Sequence, residues 1–260
     1  YIASPSNPKI KWVKSLHKNS TRREENVFVV EGAKEIAYAV EGGYQPQCMF
    51  ICTELYNEDL PENTTELYTI SKECFEKISY RTNSDGLIAV FHAKQQTLEQ
   101  LNFSESPFFI IVESVEKPGN LGAIIRTADG AGADAVIVCD ERTDMFNPNV
   151  IRSSVGTVFS KQVVAASNEA VFDFLERHEV TAYAALLSDE SESYSRADFT
   201  DPTAIVLGTE HEGLSSFWQQ RAKPIMIPML GSNDSLNVSS ATAVLAYEVV
   251  RQRYEDTNLA

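Results

Sequence analysis

Two patterns of apolar spacing divide the chain near residue 100. In the first part, Lys9–His17 sets Ile10, Val13 and Leu16 at helical spacing on one face. Asn26–Glu31 is a short β-branched run ending at Gly32, and Ala33–Val40 follows as a helix closed by Gly42-Gly43. Cys48–Cys52 predicts a strand, Ser71–Ile78 a helix opening on a serine cap, and Gly86–Phe91 another strand. Together these predict a small α/β domain over residues 1–95. The polar stretch after it, with room for a short helix around Leu98, reads as a linker over 96–107.

From Phe108 the pattern becomes regular. Apolar runs at 108–112, 135–139, 162–166, 181–187, 204–207 and 225–229 alternate with segments of helical or mixed character. Unbroken apolar strands between helices are the mark of a parallel sheet covered on both faces. A long apolar helix is predicted over Val238–Tyr254, with Arg251 and Arg253 in its last turn, where the helix dipole favours cations. The expected fold class is therefore α/β, a parallel-sheet domain over 108–260 behind the smaller N-terminal domain.

Composition narrows the function classes. Hydrophobic residues are 43% and charged residues 23% of 260, which excludes disordered, collagen-like and disulfide-dense chains. The longest apolar runs fall far short of the roughly 18 residues of a membrane span, and no leader-like segment opens the chain, although Tyr1 is not expected to be the natural start. Four scattered cysteines and four scattered histidines suggest neither a disulfide framework nor a metal site, and a cytoplasmic location is expected. The net charge of −15 argues against a polyanionic partner. Its distribution weakens that argument, because Lys9, Lys11, Lys14, Lys18, Arg22 and Arg23 fall in residues 1–23 without a single acid. Such an arm suits nucleic acid, and it equally suits a solvated amphipathic helix.

Several familiar signatures fail. Gly130-Ala-Gly132 follows a helix and precedes a strand, the reverse of a dinucleotide site, so Gly132 is expected to close the helix. His211-Glu212 lacks the second histidine of a zinc hydrolase, and Cys48 and Cys52 read as buried small hydrophobes. What remains is three polar segments just past predicted strand ends, where open α/β sheets bind ligands. In Glu113–Asp129 a strand ends, Pro118-Gly119 turns, and a helix starts near Asn120, which also fits as an N-cap. Arg126 lies nearly two turns inside that mostly apolar helix, and a buried arginine would need an anionic or carbonyl partner. Ala204–Gly213 runs from an apolar strand into Gly208, Glu210 and Gly213. Pro224–Tyr247 passes from a strand through a polar loop, Ser235-Leu236-Asn237-Val238-Ser239, into the last helix.

With Asn120 and Arg126, the run at 207–213, and Ile227-Pro228-Met229 followed by 235–239, the chain resembles the SpoU/TrmH RNA 2′-O-ribose methyltransferases over about residues 108–260. Residues 1–95, with Phe28-Val-Val-Glu31-Gly32, more weakly resemble the substrate-binding domain found ahead of the catalytic one. The resemblance implies a trefoil-knotted parallel sheet, a homodimer with the site near the subunit interface, and S-adenosylmethionine as cofactor. It places Gly208, Ile227 and Leu236 against the cofactor, with Leu207, Gly213 and Val238 beside them. Arg126 is implied as the central catalytic residue, with Asn120 and Asn237 orienting it or the ribose, Glu210 fixing the loop or Arg126, and Ser235 hydrogen-bonding nearby. Because a guanidinium is effectively always protonated, holding phosphate and polarising the hydroxyl is an easier role for it than general base. RNA would be gripped by Lys14, Arg22 and Arg23 of the arm and by a patch near Arg152. The expected reaction is methylation of a ribose 2′-hydroxyl, in ribosomal RNA ahead of transfer RNA. The competing reading is a non-catalytic RNA-binding or ribosome-assembly protein on the same scaffold.

Overall fold

A computed structural model describes residues 1–58, 66–209 and 212–254. It divides into two units, residues 1–94 with 144–160, and residues 95–143 with 161–260.

In unit 1, α1 (Pro8–Ser15) starts where the Asn7 side chain accepts the Lys9 N–H at 2.9 Å and Pro8 supplies a preset φ. A second helix, α2 (Asn19–Glu25), buries only Arg22, so no apolar stripe betrays it in the sequence. β1 (Val27–Glu31), α3 (Ala33–Glu41), β2 (Pro46–Ile51), β3 (Leu67–Thr69), α4 (Lys72–Ile78) and β4 (Leu87–His92) complete the run. The sheet order is β1-β4-β2-β3, with β4 antiparallel to β1 and β2 and β3 parallel to β2. Ile10, Val13 and Leu16 pack on Val27, Val29, Phe50, Phe75 and Val90, so the predicted face of α1 is the one buried. Cys48 and Cys52 lie inside this core.

Unit 2 contains β5 (Phe108–Glu113), α5 (Pro118–Gly130) and β6 (Ala135–Cys139). Gly132 closes α5 with φ +68, and the Ala133 N–H reaches the Ala128 carbonyl at 2.9 Å. Next come α6 (Pro148–Ser153) and α7 (Thr157–Ser160), within residues 144–160, which join unit 1 although the sequence pattern places them in the second domain. The reason is aromatic packing, since Phe146 stacks on Phe28 at 4.2 Å and Phe159 lies 5.6 Å from the same ring. β7 (Gln162–Ala166), α8 (Asn168–Arg177), β8 (Thr181–Ala185), β9 (Glu192–Ser193), β10 (Thr203–Leu207), α9 (Ser216–Gln219), β11 (Lys223–Met226) and α10 (Val238–Tyr254) follow in unit 2.

Seven parallel strands form one sheet in the order β7-β6-β5-β10-β8-β11-β9. After β5 the chain builds outward through β6 and β7, then returns to build on the other side. The reversal beside β5 is the switch point at which such sheets open a crevice at their carboxyl ends. β5, β6 and β10 are buried along their whole length, as their unbroken apolar runs require. Leu98 and Leu101, from the predicted linker, pack into this unit's core. Arg253 is less a dipole-compensating cation than a tether. Its guanidinium donates to the carbonyls of Ser106 at 2.7 Å, Phe199 at 2.8 Å and Asp201 at 2.7 Å, fixing the end of α10.

Candidate active site

The carboxyl ends of β8, β10 and β11 enclose a cavity of about 430 Å³, within the range of small-molecule sites. Leu207, Gly208, Gly213, Ile227, Leu236 and Val238 all line it, as does Ser235. Six expected cofactor residues from two separate stretches of sequence, 207–213 and 227–239, thus meet in one place.

Gly208 is there for space. A Cβ at this position would sit on the carbonyl of Gly213 and crowd the Leu214 nitrogen. The close approach comes from a pinched turn, in which the Thr209 N–H donates to the Gly213 carbonyl at 3.0 Å and the Gly213 N–H returns to Thr209 at 3.1 Å. The Thr209 hydroxyl also accepts the Glu212 N–H at 2.9 Å. Glu210 and His211 lie outside the described residues. The walls are mainly aliphatic, with Ser188, Glu212, Gln219 and Asp234 supplying polar groups. An apolar slot with a few polar groups and a side-chain-free stretch of backbone fits S-adenosylmethionine, whose purine is flat and whose amino-acid end is charged.

Asn237 performs two tasks. Its Oδ1 accepts the Ser239 N–H at 3.0 Å and the Ser239 hydroxyl at 2.6 Å at the start of α10, while its Nδ2 donates to Asn120 Oδ1 at 3.3 Å. The structure therefore joins Asn120 to the loop that carries Ser235 and Leu236. Ser235 is exposed, its hydroxyl 3.3 Å from Asp234. Asn120 is not the N-cap of α5; that position is Lys117, Pro118 opens the helix, and Asn120 lies in its first turn.

Arg126 corrects a second expectation. Leu121, Ile124, Ile125 and Ala128 form the buried stripe of α5, and Arg126 points away from it, exposed. It makes no side-chain hydrogen bond or ion pair among the described residues, and it does not line the cavity. Composition made this helix look mostly apolar, whereas the phase of its apolar positions leaves residue 126 outside.

Among the expected RNA contacts, Lys14, Arg23 and Arg152 are exposed, on α1, α2 and α6 of unit 1. Arg22 is not available for RNA. Only 3% exposed, it donates from Nε and Nη2 to Asp144 Oδ2 at 2.9 and 2.6 Å, and from Nη1 to the carbonyls of Leu16 and His17 at 2.8 and 3.0 Å. Burial holds the imidazole of neighbouring His17 below its ordinary pKa, with Lys14 adding to the effect.

Sequence reasoning missed Leu186, Leu187 and Ser188, which line the cavity just past β8. Their place after a parallel strand was a usable signal. It also missed Glu113, a carboxylate inside the core at the end of β5. Alongside it, burial and then the Glu113 charge push the Cys139 thiol up to about 12. Among the described residues, no cluster of His, Cys, Asp or Glu suits a metal ion, and no helix is long and apolar enough to cross a membrane.

Comparison with known proteins agrees with this geometry. Residues 107–247 match the SpoU rRNA Methylase family, and residues 7–89 match an MRM3-like substrate binding domain. The 23S rRNA (guanosine(2553)-2′-O)-methyltransferase of Bacillus subtilis is 28% identical, over 95% of this chain and 98% of its own. A crystal structure of an RNA 2′-O ribose methyltransferase superposes with a TM-score of 0.84 at 38% identity, covering 97% of this chain and 98% of its own. An AdoMet-bound rRNA methyltransferase from Sinorhizobium meliloti gives 0.87 at 26% identity, covering 96% and 97%. With a match that spans more than half of its residues, and a cavity at the carboxyl ends of its strands, the chain belongs to the SpoU rRNA methylase family.

Proposed function

We propose that this protein methylates a ribose 2′-hydroxyl of RNA, ribosomal RNA in the first place, using S-adenosylmethionine in the cavity at the ends of β8, β10 and β11, and that it does so in the cytoplasm as a homodimer. The observation that carries this reading is the convergence of Leu207, Gly208, Gly213, Ile227, Leu236 and Val238 on one cavity. When bound, S-adenosylmethionine supplies a methyl group on positive sulfur, which departs as a neutral thioether. The ribose hydroxyl oxygen would take that methyl group as the carbon–sulfur bond breaks, and the hydroxyl proton would pass to water, since the guanidinium of Arg126 is already protonated.

The chain's residues divide the remaining work. Leu207, Ile227, Leu236 and Val238 would hold the cofactor's purine between aliphatic walls, and Gly208, with no side chain, would leave room for its ribose. Asn120 and Asn237, already hydrogen-bonded to each other, orient the attacking ribose. Arg126 grips the adjacent phosphate and polarises the 2′-hydroxyl; Glu210 and Ser235 support the loops around it.

Arg126 stands exposed on α5, whose packing partner α10 presents exposed Tyr247 and half-buried Ala243 and Val244. A second copy covering this face would shield those side chains and bring Arg126 to a subunit interface. Light scattering should give about twice 28.9 kDa. A knotted path for the C-terminal loops belongs to the same reading.

Calorimetry with S-adenosylmethionine tests the cavity directly. Gly208→Val should weaken binding about tenfold or more, because the new side chain displaces the Gly213 backbone. Binding by the parent protein and binding at least about tenfold weaker by the variant is the expected result; no binding by the parent overturns the reading. Mapping ribose methylation in cells with and without the gene then identifies the nucleotide.

A further inference from the structure

Glu113 is buried and charged, and the proposed chemistry gives it no task. It is 3% exposed at the carboxyl end of β5, the strand beside β10 at the switch point of the sheet. Burying a carboxylate is costly unless its lone pairs are filled. Here three donors fill them. Oε1 accepts the Asn168 amide at 2.7 Å and the Ser215 hydroxyl at 2.6 Å, and Oε2 accepts the Ser215 N–H at 2.7 Å. Asn168, at the start of α8, is itself held, since its Oδ1 accepts the Trp218 indole N–H at 2.7 Å and Trp218 is fully buried.

Both hydrogen bonds from Ser215 matter for position. Ser215 is the N-cap residue of α9, yet its hydroxyl makes no cap hydrogen bond and is spent on Glu113 instead. Just ahead of it lie the Thr209–Gly213 backbone pair and buried Leu214; just behind it is Gln219, whose amide donates to the Leu214 carbonyl at 2.6 Å. Thr209, Gly213, Leu214 and Gln219 all line the cavity. One wall of the cavity is thus a loop anchored at one end by the covalent continuation of β10 and at the other by Glu113.

We propose that Glu113 is a positioning residue for the cofactor: through Ser215 it holds the cavity wall formed by Gly213, Leu214 and Gln219 at the spacing the ligand requires. This role rests on the cofactor reading above. A hydrogen bond to a charged acceptor is stronger than a neutral one and well directed, so a carboxylate fixes this loop better than an amide of the same shape. Replacing Glu113 by glutamine exchanges one acceptor oxygen for a donor and leaves the Ser215 hydroxyl or N–H facing an NH₂ group.

The experiment is calorimetry with S-adenosylmethionine on the full chain, run beside RNA-binding titrations and steady-state methylation, for the parent, Glu113→Gln, Ser215→Ala and the double variant. Glu113→Gln should raise the cofactor Kd and KM at least tenfold, while RNA affinity and the rate at saturating cofactor change less than threefold. Ser215→Ala should show the same split, more weakly because the N–H remains, and the double variant should be no worse than Glu113→Gln alone, since both break one tether. Should Glu113→Gln not fold, Ser215→Ala decides by itself. Cofactor affinity within twofold of the parent overturns the proposal, as does a loss of cofactor and RNA affinity in equal measure, which would mark Glu113 as a general fold determinant. A parent protein that binds no cofactor would instead overturn the functional reading on which the proposal stands.

Discussion

In unit 1 the guanidinium of Arg22 is enclosed, donating two hydrogen bonds to Asp144 and two to backbone carbonyls, whereas in unit 2 Arg126 stands exposed on α5 without a side-chain partner among the described residues. The surroundings of each explain the difference. α2 has no apolar stripe, so it is held down through its arginine, and the anchor Asp144 comes from a segment 122 residues away in sequence. α5 is held down by Leu121, Ile124, Ile125 and Ala128, and can leave its arginine to solvent. A saturated arginine contributes to the fold and is closed to ligands. An unsaturated one contributes little to the fold and retains all its donors for a substrate.

The largest expected effect follows from removing the enclosed arginine. Arg22→Ala strands the Asp144 carboxylate and should cost about 3–5 kcal/mol of stability in denaturant unfolding, with part regained when Asp144 is removed too. A loss under about 1 kcal/mol would erase the contrast between the two arginines. Next comes the exposed one. Arg126→Ala should slow single-turnover methylation by about 100-fold or more while the melting temperature and cofactor affinity hold, and Arg126→Lys should rescue little because a point charge lacks the planar fork of donors. Near-normal turnover in Arg126→Ala would refute its catalytic role.

Smaller effects sharpen the comparison within unit 1. Arg23→Ala and Lys14→Ala, unlike Arg22→Ala, should leave stability nearly unchanged and weaken RNA binding, each lowering the salt slope by about 1 for a phosphate that the variant no longer neutralises. An unchanged slope would remove both from the RNA surface. The smallest effect concerns pH. His17 is held below 6.5 by burial, so as pH falls through 6.5 the unfolded chain takes up the proton first. The stability His17 confers is complete above 6.5 and declines below it, and His17→Gln should flatten the fall in melting temperature between pH 7 and 5.

The core was legible where burial alone dictates sequence. The runs beginning at Phe108, Ala135 and Ala204 became fully buried parallel strands, because a strand covered on both faces has no polar face to show, whereas the run at Gln162 became an edge strand with only Val163 and Val164 buried. α10 likewise occupies Val238–Tyr254, the span its apolar length predicts. Short elements left no such trace. β9 has two residues and α7 four, too few for any period to be read. The cavity residues were legible only through their resemblance to a family, since nothing in Leu207 or Ile227 by itself distinguishes a wall from a core.

By itself the sequence determined which residues are apolar, in what order, and with what local periodicity, and hence the longer strands, the main helices and the class of fold. It also set the motifs, since each stretch, at 120–126, 207–213 and 227–239, is local. Only the tertiary structure decided which side chains meet. Arg22 finds Asp144 across 122 residues and Glu113 finds Ser215 across 102, because a buried charge takes whichever partner the packing brings within reach. Arg126 faces outward for the converse reason: its neighbours' phase filled the buried face of α5 before it could. Periodicity is a property of neighbours along the chain, whereas the pairing of polar groups is a property of neighbours in space.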